Sequence, residues 1–372
     1  MIPSTGIVRA TSSSSRVQAH RRTAQLLHHL QLSTTSRQTL RSMSFPTTIQ
    51  AIAIDKIGDI DVVEKKAVHY AGVNFIDTYY RMGLYPIKSF PQVLGMEASG
   101  VVAALPTDEN VLKDEEFKKR GLKIGRKVAV NFLGVHGEYA SVPWAKVFPV
   151  PESVSLRTAG AALLQGLTAV TFVEEAYNVK QGDYVLIHTI AGGLGLLLCQ
   201  LVKHRGGIVI GTTSSKEKAE IAAAHGADYV ILYPVENTVE RVLEITHGEG
   251  VHVVYDGVGK DTFMDNFKLT RRKGTMVSVG NASGAVEPVP PLKLVEKNLV
   301  LLRPTMANYI YTPEEAQYYS TRLFDLIASG VLKINIFKEY PFTTAGAQEA
   351  QRDLTVRSGK TVGKLIIKVA EE

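Results

Sequence analysis

The sequence predicts an α/β fold in which a doubly wound parallel sheet is joined to a second, mainly β domain. Two observations predict the parallel sheet. Apolar strands alternate with helices from about residue 166 to residue 304, and the strand at residues 184–188 runs directly into a cluster of glycines. The mainly β domain is predicted by a third observation, because short strands broken by turns follow one another between about residues 47 and 163.

Each predicted element rests on the spacing of its apolar residues. The parallel strands are predicted at residues 184–188, 208–211, 229–232, 251–255, 275–279 and 299–302, with helices between them at 195–204, 216–225, 238–246 and 261–269. In the first block, strands are predicted at residues 49–54, 68–73, 98–104, 127–132 and 138–142, and the charged stretch 108–120 as a loop. A helix over residues 313–328 and a strand over residues 363–369 end the chain.

The order of these blocks predicts the domains. Residues 45–165 and 305–372 are expected to form one catalytic domain, because the chain returns to it after the alternating block at residues 166–304. The catalytic cleft is then expected between the two domains, where ligand sites often lie.

The glycine cluster Ala191-Gly192-Gly193-Leu194-Gly195 predicts a binding site for a diphosphate. Glycine has no β-carbon, so the turn can tighten and the backbone can approach a ligand closely. The free N–H groups at the start of the following helix then face the negative charge. The cluster departs from the usual G-x-G-x-x-G spacing, so the assignment depends on the strands and the helix around it. The alternative is an α/β domain whose glycine turn binds nothing.

The end of the next strand predicts which dinucleotide is bound. Sites that prefer NAD normally place Asp or Glu about twenty residues after the glycines, where it holds the ribose 2′-hydroxyl. This chain has Thr212, Ser214 and Lys218 in that region instead. A carboxylate would repel a 2′-phosphate, whereas a hydroxyl and an ammonium bind one, so the expected coenzyme is NADPH.

The distribution of charge argues against a nucleic-acid-binding protein. The formal net charge is +6, from 42 basic and 36 acidic residues. Residues 1–54 contain six arginines and no Lys, Asp or Glu, so the rest of the chain is formally neutral. A neutral globular part has no excess positive charge for phosphate backbones, and binding to nucleic acid is not expected.

Residues 1–43 resemble a mitochondrial presequence. They are rich in Ser, Thr and Arg, and residues 21–30 can form a basic amphipathic helix. They contain no apolar run long enough for a membrane span, and none is expected. The alternative is a disordered extension, and translation from Met43 would give a cytosolic form.

Further motifs occur along residues 47–369. They are the run Ala71-Gly72-Val73-Asn74-Phe75 with its continuation to Tyr85, then Gly95-Met96-Glu97, Tyr255-Asp256-Gly257-Val258-Gly259, Val279-Gly280-Asn281-Ala282-Ser283-Gly284, Arg303-Pro304 and Thr361-Val362-Gly363-Lys364-Leu365. Together they resemble the quinone oxidoreductase (zeta-crystallin-like) branch of the zinc-free medium-chain dehydrogenase/reductase superfamily, especially its fungal members. The resemblance implies a Rossmann domain that binds NADPH, a GroES-like catalytic domain, and a homodimer joined near an edge strand at residues 299–302.

The resemblance also assigns roles to single residues. Asn74, Tyr79 and Tyr85 are expected to be catalytic: the amide would donate to the cofactor or to the acceptor oxygen, and the tyrosines would polarise or stack on a flat acceptor. The residues expected to bind the coenzyme are Asn74, Thr168 at the start of a helix, Ala191, Gly192, Gly193, Leu194, Gly195, Thr212, Ser214, Lys218, Tyr233, Asn281 and Arg303. Asp256, at the end of a strand, is expected to be structural.

Two departures from the family pattern affect what is expected. Zinc-dependent relatives ligate the metal where this chain has Asn74, Met96 and Gln165, and the chain has a single cysteine, so no metal is expected. Between Ile49 and Val68 a hairpin that normally helps to close the β-domain barrel is missing. The sheet edges left exposed would lower stability or promote aggregation, and a gene-model error is the alternative explanation.

Three functions remain open at this point. The first is NADPH-dependent quinone reduction by hydride transfer without zinc, which is feasible because a quinone is already electron-poor. The second is NADPH-dependent reduction of α,β-unsaturated aldehydes or ketones, which would share the coenzyme site and differ in the acceptor pocket. The third is an RNA-binding, crystallin-like protein, although the chain has no aromatic-rich RNA-binding signature.

Overall fold

Two six-stranded sheets organise the residues that the structure describes, which are 51, 53–54, 69–355 and 361–370 of a computed structural model. All of these residues belong to one compact unit, Thr48–Glu372. The expected presequence at residues 1–43, the start at Met43 and the missing hairpin between Ile49 and Val68 lie outside the described residues, apart from positions 51, 53 and 54.

The first part of the chain forms short strands and four helices. The strands are β1 (Ala53–Ile54), β2 (Tyr70–Val73), β3 (Gln92–Val93), β4 (Glu97–Val101), β5 (Lys127–Asn131) and β6 (Val147–Pro149), and the helices are α1 (Phe75–Arg81), α2 (Glu109–Lys113), α3 (Glu115–Arg120) and α4 (Leu156–Thr171). Four of the five predicted short strands are confirmed near their predicted places, with ends that differ by a few residues.

Three predictions for this part are wrong. The stretch 108–120 is not a loop: it forms α2 and α3, because the side chains of Asp108 and Asp114 accept hydrogen bonds from the first N–H groups of each helix. Residues 138–142 form no strand, and the strand lies later, at β6. Helices α1 and α4 were not predicted in the mainly β block. Helix α4 is buried on several sides, so its apolar residues show no clean helical period.

The middle of the chain forms the expected doubly wound parallel sheet. Its strands are β7 (Tyr184–Ile187), β8 (Ile208–Thr213), β9 (Tyr229–Leu232), β10 (Val251–Asp256), β11 (Thr270–Ser278) and β12 (Val300–Leu302), and its helices are α5 (Gly193–His204), α6 (Lys216–Ala224), α7 (Thr238–Ile245), α8 (Asn266–Leu269) and α9 (Met306–Tyr309). The strand order is β12-β11-β10-β7-β8-β9, all parallel. The helix predicted at 261–269 is shorter than expected, because residues before Asn266 form turns.

The end of the chain returns to the first sheet. Helix α10 (Pro313–Ala328) has the predicted bounds, and it is followed by β13 (Ile336–Pro341), α11 (Thr344–Thr355) and β14 (Lys364–Lys368). Strand β14 pairs antiparallel with β2 and parallel with β13, giving the order β13-β14-β2-β4-β5-β6. The first and last pieces of the chain therefore share a sheet, while the domain boundaries themselves stay a prediction.

Helix α4 lies at the centre of the packing between the two sheets. Leu163 and Leu167 are fully buried in one apolar cluster with residues of β7 and α5. With the π-helical turn that follows it, the segment Leu156–Ala176 is long and apolar enough to cross a membrane, but 72% of the tested window is buried inside the protein. That burial is what the core helix of a globular domain shows.

Gly211, on strand β8, is a point of close approach between the parallel sheet and the turn after β7. A β-carbon at this position would overlap the side chain of Ile190, lying 2.6 Å from its Cγ2. We expect Gly211→Ala to lower the free energy of unfolding by about 1–3 kcal/mol, the usual effect of overpacking a core. Urea unfolding measures it. Gly100→Ala is the matched control, because its β-carbon would meet only His69 at 3.7 Å; an equal effect for both variants would contradict the expectation.

Candidate functional site

The turn between β7 and α5 has the shape of an anion-binding loop. Thr189 has a φ of 55°, which is strained for a β-branched residue, and α5 begins at Gly193 with Gly192 as its N-cap. Since Gly192 has no side chain, no cap hydrogen bond covers the first N–H groups of the helix. A β-carbon on Gly195 would lie 2.5 Å from Thr189 O and 2.6 Å from Ile190 O, so the turn requires glycine there.

A buried chain of hydrogen bonds holds this turn from behind. Asn266 donates through Nδ2 to Asp256 at 2.7 Å, which leaves its Oδ1 to accept from His188 Nε2 at 2.9 Å. In neutral His188, Nδ1 then accepts from the Thr212 hydroxyl at 3.1 Å, and the Thr189 N–H donates to that hydroxyl at 3.3 Å. This series of hydrogen bonds ends at Thr189, the strained residue of the turn. Sequence reasoning missed it, since the five residues come from four separate segments.

Asp256 has the structural role that was expected. Its carboxylate accepts hydrogen bonds from the N–H groups of Val258 and Gly259 and from the hydroxyl of Thr262. Together with the amide of Asn266, these donors fix the loop that follows β10.

The start of α6, after the end of β8, offers a half-buried ammonium group to a ligand. Lys218 is half-buried, and no hydrogen bond or ion pair engages its ammonium within the part of the chain that the structure describes. Burial lowers the pKa of Lys218. Ser214 is half-buried beside it in the chain and Tyr233 is 52% exposed, whereas Thr212 is 3% exposed and bonded to His188. Lys218 and Ser214 are therefore available to an anion, and Thr212 supports the turn.

Tyr79 connects helix α1 to the loop that follows β11 in the parallel sheet. Its hydroxyl accepts a hydrogen bond from the Asn281 N–H at 3.4 Å, at the loop that follows β11. Burial raises the pKa of Tyr79, against the opposing effects of that hydrogen bond and of the Arg303 charge. The ring of Tyr85 lies edge-on to Tyr79 at 5.5 Å. Three residues predicted for different roles are thus close together: Tyr79, Asn281 and Arg303.

Asn74 belongs to a buried polar cluster beneath helix α1. The ammonium of Lys364 donates to Asn74 Oδ1 and to Glu97 Oε2, both at 2.6 Å. Asn74 Nδ2 donates to Glu97 Oε2 at 2.9 Å and to Gly72 O at 3.2 Å. The side chains of Lys364 and Glu97 are 2% and 0% exposed. Both amide hydrogens of Asn74 are therefore engaged within the protein, and its donation to a cofactor or acceptor stays a prediction.

Two further titratable groups lie in this cluster. Burial and the neighbouring Glu97 raise the pKa of Asp77 to about 7, although the Asn74 N–H donates to its carboxylate at 2.8 Å. Burial also lowers the pKa of His136 to about 4, and the charge of Lys364 acts in the same direction. Asp77 is in the first turn of α1, the helix that carries Tyr79. Protonation of Asp77 therefore changes the charge in the first turn of α1.

Thr168 is inside a helix, and the prediction that it starts one is wrong. Helix α4 begins at Leu156, and the Thr168 hydroxyl donates to Leu164 O at 2.8 Å, one turn earlier. The apolar run before Thr168 was assigned to the strand-rich block, which hid the helix. Its role as a coenzyme contact stays a prediction.

The described chain has two lobes, one built on each six-stranded sheet. Together with the open glycine turn and the free ammonium of Lys218, they define a two-domain oxidoreductase that uses a nicotinamide dinucleotide. Known proteins agree with this class. Residues 66–152 match the family model described as "Alcohol dehydrogenase GroES-like domain", and residues 193–325 match the one described as "Zinc-binding dehydrogenase".

Three relatives are informative. A probable quinone oxidoreductase of Schizosaccharomyces pombe is 41% identical over 304 residues, 82% of this chain and 88% of that protein. The crystal structure of Escherichia coli quinone oxidoreductase complexed with NADPH has a TM-score of 0.78 and 35% identity, covering 86% of this chain and 99% of that chain. A 2-haloacrylate reductase of Burkholderia sp is 34% identical over 80% of this chain and 87% of that protein. The chain belongs to the quinone oxidoreductase family of the medium-chain dehydrogenase/reductase superfamily.

One of the two matching family models is named for zinc binding. In this chain, the residues at the positions of the zinc ligands do not fit that metal. Asn74 Oδ1, at one of the positions where zinc-dependent relatives have a ligand, is occupied by the ammonium of Lys364. A cation at that place repels a second cation. Across the described residues, no three His, Cys, Asp or Glu side chains gather as a metal would require.

The raised pKa of Asp77 has a consequence for stability. The folded protein holds a proton on Asp77 up to about pH 7, whereas an unfolded Asp loses it near pH 4. Stability therefore falls as the pH rises through this window, by about 1.4 kcal/mol per pH unit for one linked proton. We expect the advantage of Asp77→Asn over the wild type in urea unfolding to grow from pH 5 to pH 7 and to level off above it. The exposed Asp261→Asn is the control, and a pH-independent difference for Asp77→Asn would refute the linkage.

Proposed function

We propose that the protein is an NADPH-dependent quinone reductase that transfers hydride without zinc. One observation supports the proposal more than any other: the hydroxyl of Tyr79, in the part of the chain expected to be catalytic, accepts a hydrogen bond from the backbone of Asn281, in the part expected to bind the coenzyme. A proton donor of the mainly β part is therefore within hydrogen-bond distance of a residue that we propose to contact the coenzyme. The resemblance to quinone oxidoreductases over more than four-fifths of the chain supports the same function.

The residues of this chain bind and orient the reactants. NADPH supplies the hydride when it is bound. The first N–H groups of α5 bind the diphosphate, and Lys218 with Ser214 binds the 2′-phosphate. Tyr79 keeps its proton, because burial raises its pKa and outweighs the opposing effect of the hydrogen bond that its oxygen accepts from Asn281. That proton is then free to hydrogen-bond a carbonyl oxygen of the acceptor, which becomes more basic as the ring is reduced.

The aromatic residues of α1, together with Tyr85 just after it, favour a flat acceptor. The ring centroids of Phe75 and Tyr79 are 6.4 Å apart, those of Tyr79 and Tyr85 5.5 Å, and those of Tyr80 and Tyr85 5.7 Å. The face of an aromatic ring in this group can stack on a planar quinone and gains less from a short aliphatic enal. Reduction of α,β-unsaturated carbonyl compounds is therefore the second candidate, in keeping with the lower identity to the 2-haloacrylate reductase.

Stopped-flow oxidation of NADPH with a panel of quinones and a panel of enals and enones tests which class of acceptor the protein prefers. Quinones are expected to give the higher kcat/KM. A higher value for the enals would reverse the assignment, and no turnover with either panel, together with tight binding of RNA, would favour the crystallin-like alternative.

Lys218 provides the test of coenzyme choice. We expect Lys218→Glu to weaken NADPH binding by about 10- to 100-fold, because a charge-assisted hydrogen bond is lost and a repulsion is added. NADH has no 2′-phosphate, so its binding should change little. Intrinsic fluorescence titration measures both constants. Lys268→Glu, at an exposed lysine paired with Asp265, is the control. Equal losses for NADPH and NADH would rule out the 2′-phosphate assignment.

We further propose that two copies associate along β12. This strand lies at the edge of the parallel sheet, and Val300 is 47% exposed on it. Exposed strand edges with apolar side chains readily pair with another chain. Light scattering with Val300→Lys is expected to show a shift from dimer to monomer, and a monomeric wild type would contradict the proposal.

Import into mitochondria is proposed from the arginine-rich, acid-free composition of residues 1–43. We expect a fusion of residues 1–45 to a fluorescent protein to accumulate in mitochondria. The matched control replaces Arg21 and Arg22 with Glu, which should leave the reporter in the cytosol. A diffuse signal from the unaltered fusion would defeat the proposal.

A further inference from the structure

We propose that Gln165 is a coenzyme-binding residue whose carboxamide donates a hydrogen bond to the diphosphate side of bound NADPH. The inference rests on the proposed function and adds a residue to its site. Gln165 stands where zinc-dependent relatives have a metal ligand, and it was expected only to mark the absence of that ligand.

The position of Gln165 places its side chain on the glycine turn. It lies in α4, and its carboxamide packs against Gly193, the first residue of α5. A β-carbon built on Gly193 would overlap Gln165 Oε1 and lie 3.0 Å from Cδ and Nε2. A larger residue at this position would therefore require the side chain of Gln165 to move away from the turn. The contact brings a polar side chain of one lobe to the helix start of the other.

The carboxamide of Gln165 is free to bind a ligand. It is half-buried, and none of the residues that the structure describes forms a hydrogen bond with its side chain. An amide that makes no hydrogen bond in a partly desolvated place gains from a partner that enters it. Its two N–H groups lie beside Gly193, the residue at which α5 begins, and the first backbone N–H groups of that helix have no side-chain cap.

The backbone beside Gln165 is held rigidly. Glu97, which is fully buried, accepts a hydrogen bond from the N–H of the preceding residue, Leu164, at 2.8 Å. The same carboxylate accepts from the ammonium of Lys364 at 2.6 Å. Because these contacts fix α4 at this point, little ordering of the backbone is required when Gln165 binds a ligand.

The test compares ligands that contain or lack the diphosphate. Gln165→Leu is expected to weaken NADPH and NADH by the same factor, about tenfold, because both contain the diphosphate. Adenosine 2′-monophosphate has no diphosphate, and its binding should not change. Dissociation constants come from fluorescence titration for NADPH and NADH and from calorimetry for the monophosphate. The same substitution at Gln317, a glutamine on α10, is the matched control and should change none of the three.

Two further variants test the chemistry rather than the packing. Gln165→Glu preserves shape but opposes the diphosphate with a like charge, so it should weaken NADPH more than Gln165→Leu does. Gln165→Lys keeps a donor and adds a positive charge, so it should bind NADPH at least as tightly as the wild type. These opposite directions are not expected if Gln165 only fills space.

The outcomes separate this inference from the proposed function. If the wild type does not bind NADPH, the proposed function fails. If the wild type binds NADPH and the Leu, Glu and Lys variants at position 165 bind it equally well, only the role of Gln165 is overturned. A loss of adenosine 2′-monophosphate binding in Gln165→Leu would also overturn it, because the effect would then not be confined to the diphosphate.

Discussion

The buried ion pair between Lys364 and Glu97 is the interaction on which the rest of the structure depends. Through hydrogen bonds, Glu97 joins strand β4 to helix α4, to Asn74 at the start of α1, and to β14. Removing one partner of such a pair leaves an unpaired charge in the interior, which lowers the free energy of unfolding by about 3–5 kcal/mol. The pair also closes the sheet, because Lys364 is the first residue of the last strand, which lies between β13 and β2.

The same region connects the two lobes at the glycine turn. Gly363, next to Lys364, donates its N–H to Ala191 O at 3.0 Å and pairs with Gly192. A β-carbon on Gly363 would overlap Asn335 O, and its φ is 81°, so glycine is required. The glycine turn is thus bounded by Gln165 on one side and by the approach to β14 on another. Its shape is set by these two segments, which are distant from each other in sequence, and by the series of hydrogen bonds from Asp256 to Thr189 behind it.

The sequence predicted the parallel sheet well, because its strands are buried on both faces and form continuous apolar runs between helices. Strand β9 and helix α10 have the predicted bounds. Prediction was weakest where tertiary contacts override local pattern. Helix α4 is buried among both sheets, so its sequence shows neither a polar face nor the alternation of a strand. The two short helices at residues 109–120 depend on aspartate caps within a charged stretch that otherwise resembles a loop.

The sequence by itself determined the order along the chain of the strands in the parallel sheet, the glycine turn and the scarcity of thiolate ligands, because each follows from residue type and local spacing. It also singled out Asn74, Tyr79, Asn281 and Lys218. Only the tertiary structure decided which of these groups are available. Asn74 is occupied by Lys364, 290 positions away, and Thr212 by His188. Lys218 and Gln165 remain free within the described chain. Whether a polar group binds a ligand or a neighbour depends on what the fold places within hydrogen-bond distance of it, and local sequence does not contain that information.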